Sequence, residues 1–471
     1  MSSLRSAAIE TGLDYFDSGA FLENLSEKVS FETESQNPDR QGVMLDYFRE
    51  IMIPAFEEMG FTWRILDNPV NENMPFLYVE RIEEEKLTTV LGYGHGDVVL
   101  GMEGKWRAGR SPWKIEQDGD YIYGRGTADN KGQHAINIAA LGLVLKSKGR
   151  LGFNVKYLIE SAEEIGSPGL RELCQQNKSL LKADLLIASD GPRQQAAKPT
   201  IYLGSRGNRS FDLKVKLREG AHHSGNWGGV ISDAGTILAQ AIASIIDRNG
   251  AIRVAGWRPD GIPEDVQAAL AKVIFETSEE DGPEIEPGWG EPGLTAAEKL
   301  FAWTSFAVLA FETGNPARPV GAIPATAWAR CGLRFPPGLD ICDWTSALRR
   351  HLDENGFSDV VVEPQSMGGF DATRTALDNP WVRLACKSLE DTTGAPPVLL
   401  PNLGGSLPNG CFMDVLGLPT IWVPHSYPGC SQHAPNEHIL ASVARQALGI
   451  MVGLYWDIGE ARGAVARADD R

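Results

Sequence analysis

Gly94-His95-Gly96-Asp97 closes an apolar run, and Asp129-Asn130-Lys131-Gly132, Glu163-Glu164 and Asp190 follow at intervals of whole secondary-structure elements. Histidine nitrogen combined with carboxylate oxygen is donor chemistry for Zn2+ or a similar borderline metal. Two adjacent glutamates allow one to hold metal while the other moves protons. Ser431-Gln432-His433-Ala434-Pro435-Asn436-Glu437 adds a second histidine ahead of a helix. His95, His433, Asp129, Glu164 and Asp190 are enough ligands for two ions. The pattern points to a metal-dependent hydrolase and, in its sharper form, to a bridged metal pair.

Each residue also has a plainer reading. His95 sits between glycines that let backbone and metal approach closely, yet a lone histidine there also suits a core or surface position. Asp97 is placed to orient an imidazole or to cap a turn. Asp129 reads either as the N-cap of a helix starting near His134 or as a carboxylate sharing its oxygens between two cations. Glu163-Glu164 before Gly166-Ser167-Pro168-Gly169 also suits a solvated turn, and Asp190 a turn former. The segment Gly124 to Gly132 is not a phosphate loop, because it lacks the GxxxxGK[ST] order.

These residues need strands and loops to deliver them. Thr88 to Gly94 reads as a strand ending at His95, Phe153 to Ile159 as one ending at Glu160, and Ala183 to Ala188 as one ending before Asp190. Between them Ala135 to Leu145 reads as a buried helix, and Leu170 to Gln175 as another. Residues 17 to 60 read as helical, with Phe21, Leu22, Leu25 and Val29 on one face and a second helix from Gly42 to Met59. Strand and helix alternate with polar groups at successive strand ends, where ligands bind in open α/β sheets. A twisted sheet with helices on both faces is expected.

From about Ser210 the pattern changes to alternating, half-exposed strands. Phe211 to Leu217, Ala327 to Phe335 and Val360 to Glu363 read as strands, with helices at Ala234 to Ile246 and Trp344 to Leu352. Together they predict a separate small α/β sandwich. The Pro-, Gly- and Glu-rich stretch 252–300 reads as an excursion from it. Thr420 to Val423 and Glu437 to Val452 return to the first domain.

A chain of 471 residues with 42% hydrophobic content is long enough for two domains. Its net charge of -18 argues against nucleic acid or an anionic membrane as partner. Six cysteines without a CxxC pair suit reduced thiols in cytoplasm. The N-terminal residues carry no apolar signal core, and no stretch approaches 18 apolar residues.

Taken in order, Gly94-His95-Gly96-Asp97-Val98-Val99, Gly124-Arg125-Gly126-Thr127-Ala128-Asp129-Asn130-Lys131-Gly132, Glu163-Glu164-Ile165-Gly166-Ser167, Ser189-Asp190 and Gln432-His433-Ala434-Pro435-Asn436-Glu437 carry a resemblance to a known family. The chain closely resembles, over nearly its whole length, the zinc-dependent exopeptidases and deacylases. These include carnosinase-type dipeptidases, glutamate carboxypeptidase, acetylornithine deacetylase and succinyl-diaminopimelate desuccinylase. The resemblance implies an α/β fold with a three-layer catalytic domain in residues 1–208 and 376–471. Residues 209–375 would form an inserted smaller α/β sandwich, a lid and dimerisation domain.

The same resemblance implies two Zn2+ per subunit, or Mn2+ or Co2+ in their place. Asp129 would bridge them, with His95 and Asp190 on one ion and Glu164 and His433 on the other. Asp97 would orient His95, and Glu163 would be general base and then proton donor. Ala221-His222-His223-Ser224-Gly225 resembles a family segment whose histidine, here His223 rather than His222, stabilises the oxyanion in the partner subunit's site; by residue type alone the pair suits a surface turn. Arg334 resembles the family's carboxylate-binding arginine, although a surface-strand arginine is its plainer reading. Asn402-Leu403-Gly404-Gly405-Ser406 resembles a substrate-binding loop, with Asn402, Gly405 and Ser406 as contacts and Leu407 where the family often has Ile.

The implied function is hydrolysis of a small peptide by a dipeptidase- or carboxypeptidase-like enzyme, in a cytoplasmic homodimer. An N-acyl-amino-acid deacylase is the nearest alternative. A non-catalytic metal-binding scaffold is the alternative from another class, and Glu163, which has no ligand duty, argues against it.

Overall fold

In the computed structural model, which describes residues 3–40, 42–273, 283–365 and 369–461, His95, the Glu163-Glu164 pair and Asp190 stand at or just beyond the ends of strands in one large sheet. The chain first runs through β1 (Thr62–Leu66), β2 (Phe76–Arg81), β3 (Thr89–His95), β4 (Asn154–Glu160), β5 (Leu185–Ala188) and β6 (Thr200–Tyr202). It then forms β7 (Gly207–Lys216), β8 (Ser305–Thr313), β9 (Thr326–Phe335) and β10 (Val360–Pro364) of a second sheet, and returns with β11 (Val398–Leu400) and β12 (Thr420–Trp422). The principal helices are α1 (Ser3–Asp17), α2 (Ala20–Val29), α3 (Lys131–Lys148), α4 (Ala234–Ile245), α5 (Glu264–Leu270), α6 (Ala296–Ala302), α7 (Trp344–Glu354), α8 (Pro380–Thr393) and α9 (Ala441–Ala461).

The first sheet has eight strands in the order β1-β2-β4-β3-β5-β12-β6-β11. Its centre is parallel, with β3 between β4 and β5 and β12 beside β5, whereas β1 and β2 run antiparallel at one edge. Alternation of side chains buries both faces. Val90, Val155, Ile187 and Ile421 face a core completed by α1, α2, α3, α8 and α9. Leu91, Leu158, Leu186 and Trp422 face the opposite core. His95 and Asp190 therefore emerge at the carboxyl ends of neighbouring central strands.

The second sheet, β8-β9-β7-β10, is antiparallel throughout. Phe211, Leu213, Ala329, Cys331 and Leu333 pack on Leu238 and Ile245 of α4 and Leu348 and Leu352 of α7. That is the expected two-layer sandwich, with one more strand than anticipated.

Several expectations change. The stretch 252–300 is not simply an excursion from the second sheet, because α5 and α6 close the first sheet's second face. Val266, Leu270, Ala297 and Phe301 share its core with Tyr78 and Leu91, each large side chain contributing about 2 kcal/mol of burial. Helical residues 17–60 break at Gly19 and again after Val29. The helix expected from Glu437 starts at Ala441, since His438–Leu440 pair with Tyr121–Tyr123 as a short strand. Among the described residues no helix is long and apolar enough to cross a membrane.

Candidate metal centre

Close packing fixes the loops that carry the cluster. A Cβ on Gly94 would stand 2.8 Å from the His134 Cβ, and one on Gly96 2.8 Å from the Met44 Cε and Tyr47 Cε1. The bulkless positions let β3 run against α3 and leave His95 as the side chain that projects. A Cβ on Gly132 would stand 1.9 Å from the Thr127 carbonyl oxygen, so the turn holding Asp129 requires glycine there. The helix begins at Lys131 with Asn130 in the capping position. Asp129 is thus released from capping and points into the cluster.

Asp129 shares its two oxygens between the two histidines. Its Oδ1 lies 3.0 Å from His95 Nε2, and its Oδ2 lies 3.0 Å from His433 Nε2 and also receives the Gln432 side-chain amide. Asp190 Oδ2 stands 3.6 Å from His95 Nε2, while Glu164 Oε2 stands 2.9 Å from His433 Nε2. The other ring nitrogen of His95 lies 3.0 Å from the Asp97 carbonyl oxygen and 3.4 Å from its Oδ1. A proton held on Nδ1 by those acceptors leaves the Nε2 lone pair facing the cluster. Asp97 also accepts the backbone N–H groups of Glu163 at 3.1 Å and Glu164 at 3.2 Å. One residue thereby sets both the imidazole, chiefly through its carbonyl oxygen, and the turn with the paired glutamates, through its carboxylate.

The donor set fits divalent cations. Ligand atoms of His95, Asp129 and Glu164 lie within 4.8 Å of one another. Asp190 Oδ2 is buried without a hydrogen-bond partner, an acceptor aimed at the same point. Burial pushes Glu163 well above the ordinary glutamate range, reinforced by the charges of Asp190, Glu164 and Asp129 and opposed by His95. Burial and the Asp129 charge push Glu164 up to about 8, against the pull of His433. Bonds to Asp129 and Glu164 raise His433 to about 11. So many crowded carboxylates call for compensating positive charge.

The loop with His433 is held in an unusual backbone state. Ser431, His433 and Asn436 have φ of 56°, 61° and 66°, and non-glycine residues in that region cost about 1–2 kcal/mol each. Asn436 Oδ1 accepts the Arg107 N–H at 2.7 Å and offsets part of this.

A cavity of ≈ 520 Å³ opens from Asp129, Glu163, Asp190 and His433 toward Arg334, Gly405 and Ser406. Arg334 Nη1 donates to Ser406 Oγ at 2.9 Å. The structure brings these expected substrate contacts together with the metal candidates. Asn402 is fully buried, next to the cavity-lining Leu403. Its amide is spent on the carbonyl oxygens of Phe301 at 2.7 Å and Leu403 at 3.2 Å, a bracing role. His223 is exposed, pairs backbone with Ala322, and accepts the Gly225 N–H at 3.1 Å; it does not line this chain's cavity.

Sequence reasoning left Glu437 and the buried amide network without roles. Glu437 Oε1 accepts the N–H groups of Gly126, Ala128 and Asp129, each at 3.0 Å, while its Oε2 takes Arg125 Nη1 at 2.6 Å. Asn130 donates to the Ser189 carbonyl at 2.7 Å, and Gln133 joins the Ala128 carbonyl to the His425 N–H. These bonds lock the Asp129 turn to the Asp190 strand end. The only sequence signal was the position of Glu437 four residues after His433.

Residues 91–456 match the model of peptidase family M20/M25/M40. Human Beta-Ala-His dipeptidase is 24% identical over 92% of this chain and 89% of its own length. Cysteinylglycine-S-conjugate dipeptidase of Corynebacterium striatum is 27% identical over 68% of this chain and 70% of its own. The crystal structure of an M20 family metallo-carboxypeptidase from Sulfolobus solfataricus superposes with a TM-score of 0.80 at 23% identity, covering 93% of this chain and 99% of that one.

Proposed function

Because the chain belongs to peptidase family M20/M25/M40, we propose that it is a two-zinc amide hydrolase that cleaves small peptides bearing a free carboxylate, in the manner of a dipeptidase. The observation that carries this reading is Asp129, whose two oxygens face His95 and His433 separately. A carboxylate so placed is suited to join two ions, with Asp190 completing the first site and Glu164 the second.

Divalent ions held there supply Lewis acidity, polarising a carbonyl and lowering the pKa of water. The chain's own residues do the rest. Glu163 lines the cavity beside the ligands and takes the proton of the attacking water, then delivers it to the departing amine nitrogen. Asp97 fixes the Glu163 turn and the His95 tautomer at once. Arg334, with Ser406 and Gly405, receives the substrate carboxylate and sets the scissile amide at a fixed distance from the cluster.

The finer reading extends to assembly. Residues 1–208 and 376–471, with α5 and α6 packed on their sheet, form the catalytic domain, and the second sheet with α4 and α7, the remainder of 209–375, forms the lid, through which two subunits pair. His223 serves the oxyanion in the partner subunit's site, in keeping with its exposure. All six cysteines are free, which suits a cytoplasmic setting.

Paired substrate panels test the activity. Zinc-loaded protein should release amino acids from a dipeptide panel and leave N-acetyl and N-succinyl amino acids intact. Turnover confined to the acyl series would assign a deacylase instead, and turnover of neither series would refute amide hydrolysis.

A further inference from the structure

The far wall of the cleft is made of side chains that neither metal ligation nor proton transfer uses. Ile285 and Leu300 are large apolar residues with 36% and 38% of their surface exposed, and that surface lines the cleft. The same two residues also line a neighbouring groove of ≈ 920 Å³, so they form the partition between the two spaces. Leu300 Cδ1 and Cγ stand 3.0 and 3.1 Å from where a Cβ on Gly404 would lie. Leucine therefore packs directly on the glycine loop whose next residues sit beside Arg334.

This wall is braced rather than loose. The helix α6 that carries Leu300 starts with a reciprocal cap between Thr295 and Glu298. Lys299 Nζ donates to the Trp289 carbonyl at 2.7 Å, and Glu291 accepts Arg258 Nη2 at 2.7 Å. At the end of α6 the Phe301 carbonyl receives the Asn402 amide, which ties the wall to the substrate loop. The cleft is thus divided: carboxylates and imidazole at one end, and the apolar surface of Ile285 and Leu300 beside the Arg334 guanidinium at the other.

We infer that Ile285 and Leu300 form a specificity-determining wall that selects a large apolar side chain on the substrate residue bearing the free carboxylate. The inference rests on the reading in which that carboxylate meets Arg334. A carboxylate there places its own α-carbon beside Gly405 and Ser406, with Leu300 on the adjoining flank. A glycine in that position leaves Leu300 and Ile285 in water, whereas leucine or phenylalanine covers them. A glutamate or lysine side chain laid on Ile285 and Leu300 would lose hydration to carbon surface that returns no hydrogen bond.

The test uses the zinc-loaded full chain and two series, Gly-X dipeptides and N-acetyl-X amino acids, with X as Gly, Leu, Phe, Glu or Lys. In whichever series turns over, kcat/KM for X = Leu or Phe should exceed that for Gly by roughly tenfold or more. Leu300→Ala should lower the Leu-to-Gly ratio at least about fivefold, and Leu300→Arg should raise the Glu-to-Leu ratio. Ratios measured on one preparation are unaffected by the fraction folded. Equal ratios in wild type and both variants, or a preference for glycine, would overturn the wall. Absence of turnover in both series would instead refute the hydrolase reading, and calorimetry with free leucine and glycine would then decide the wall: tighter leucine binding, weakened in Leu300→Ala, supports it, and equal binding overturns it.

Discussion

Glu437 and Asp129 are joined through the main chain: the Glu437 carboxylate accepts the Asp129 N–H at 3.0 Å while Asp129's own carboxylate faces both histidines. A residue with no place in the metal set thus fixes the carboxylate at its centre. Arg125, fully buried, answers the Glu437 charge at 2.6 Å.

Glu437→Ala should therefore destabilise strongly. It strands a buried guanidinium and three N–H donors, a loss of about 3–5 kcal/mol. Denaturant unfolding of the zinc-loaded protein checks this, with Glu437→Gln as a milder comparison. A loss below about 1 kcal/mol would show that Glu437 does not hold the turn.

Glu163→Gln should keep both metals and lose most turnover, by about 10²–10⁴-fold. Metal content and kcat are read on the same sample. Near-normal turnover would remove Glu163 from proton transfer.

His433→Ala should retain one tightly held ion on His95, Asp129 and Asp190 and weaken the second more than about 100-fold. Calorimetric zinc titration distinguishes the two sites. Chelation of wild type should also lower its stability, because ions held at 1,000 times their Kd contribute about 4 kcal/mol. Two unchanged sites in the variant would contradict the assigned ligands.

Lys28 gives a pH signature far from catalysis. Burial pushes its ammonium down to about 8, only weakly opposed by Glu27. Below that pH both folded and unfolded chains carry the proton, and the folded state bears the cost of the buried charge. Between about 8 and 10.4 the unfolded chain keeps the proton that the folded chain has released, so stability rises with pH, by about 3 kcal/mol in all. Lys28→Met should abolish that rise, seen as the difference between two unfolding profiles over pH 7–11. Parallel profiles would contradict the assignment.

Much of this centre was legible because its parts lie where the chain leaves the core. His95, Glu163 and Asp190 each follow an apolar strand, and that pattern needs no tertiary information. Asp129 was ambiguous between cap and ligand, and only the start of α3 at Lys131 resolves it. The bracing role of Asn402 was not legible, because a loop sequence does not say which residues turn inward; its amide nitrogen donates to the Phe301 carbonyl, a hundred residues away. The helices α5 and α6 were hidden by their shortness and by the Pro-, Gly- and Glu-rich stretch around them, since Val266, Leu270 and Phe301 become a core only against the first sheet. The edge strand β8 keeps Leu309 and Phe311 exposed and so lacks the clean alternation that marks a half-buried strand.

In the proposed mechanism two bridged ions serve one amide-cleaving site. Stepwise return of zinc to chelated protein, with hydrolysis of Gly-Leu followed at each addition, tests it most directly. Turnover should climb to its plateau only as the second equivalent per chain is bound. A plateau at one equivalent, or no cleavage of peptide or N-acyl amino acid at any zinc level, would contradict it.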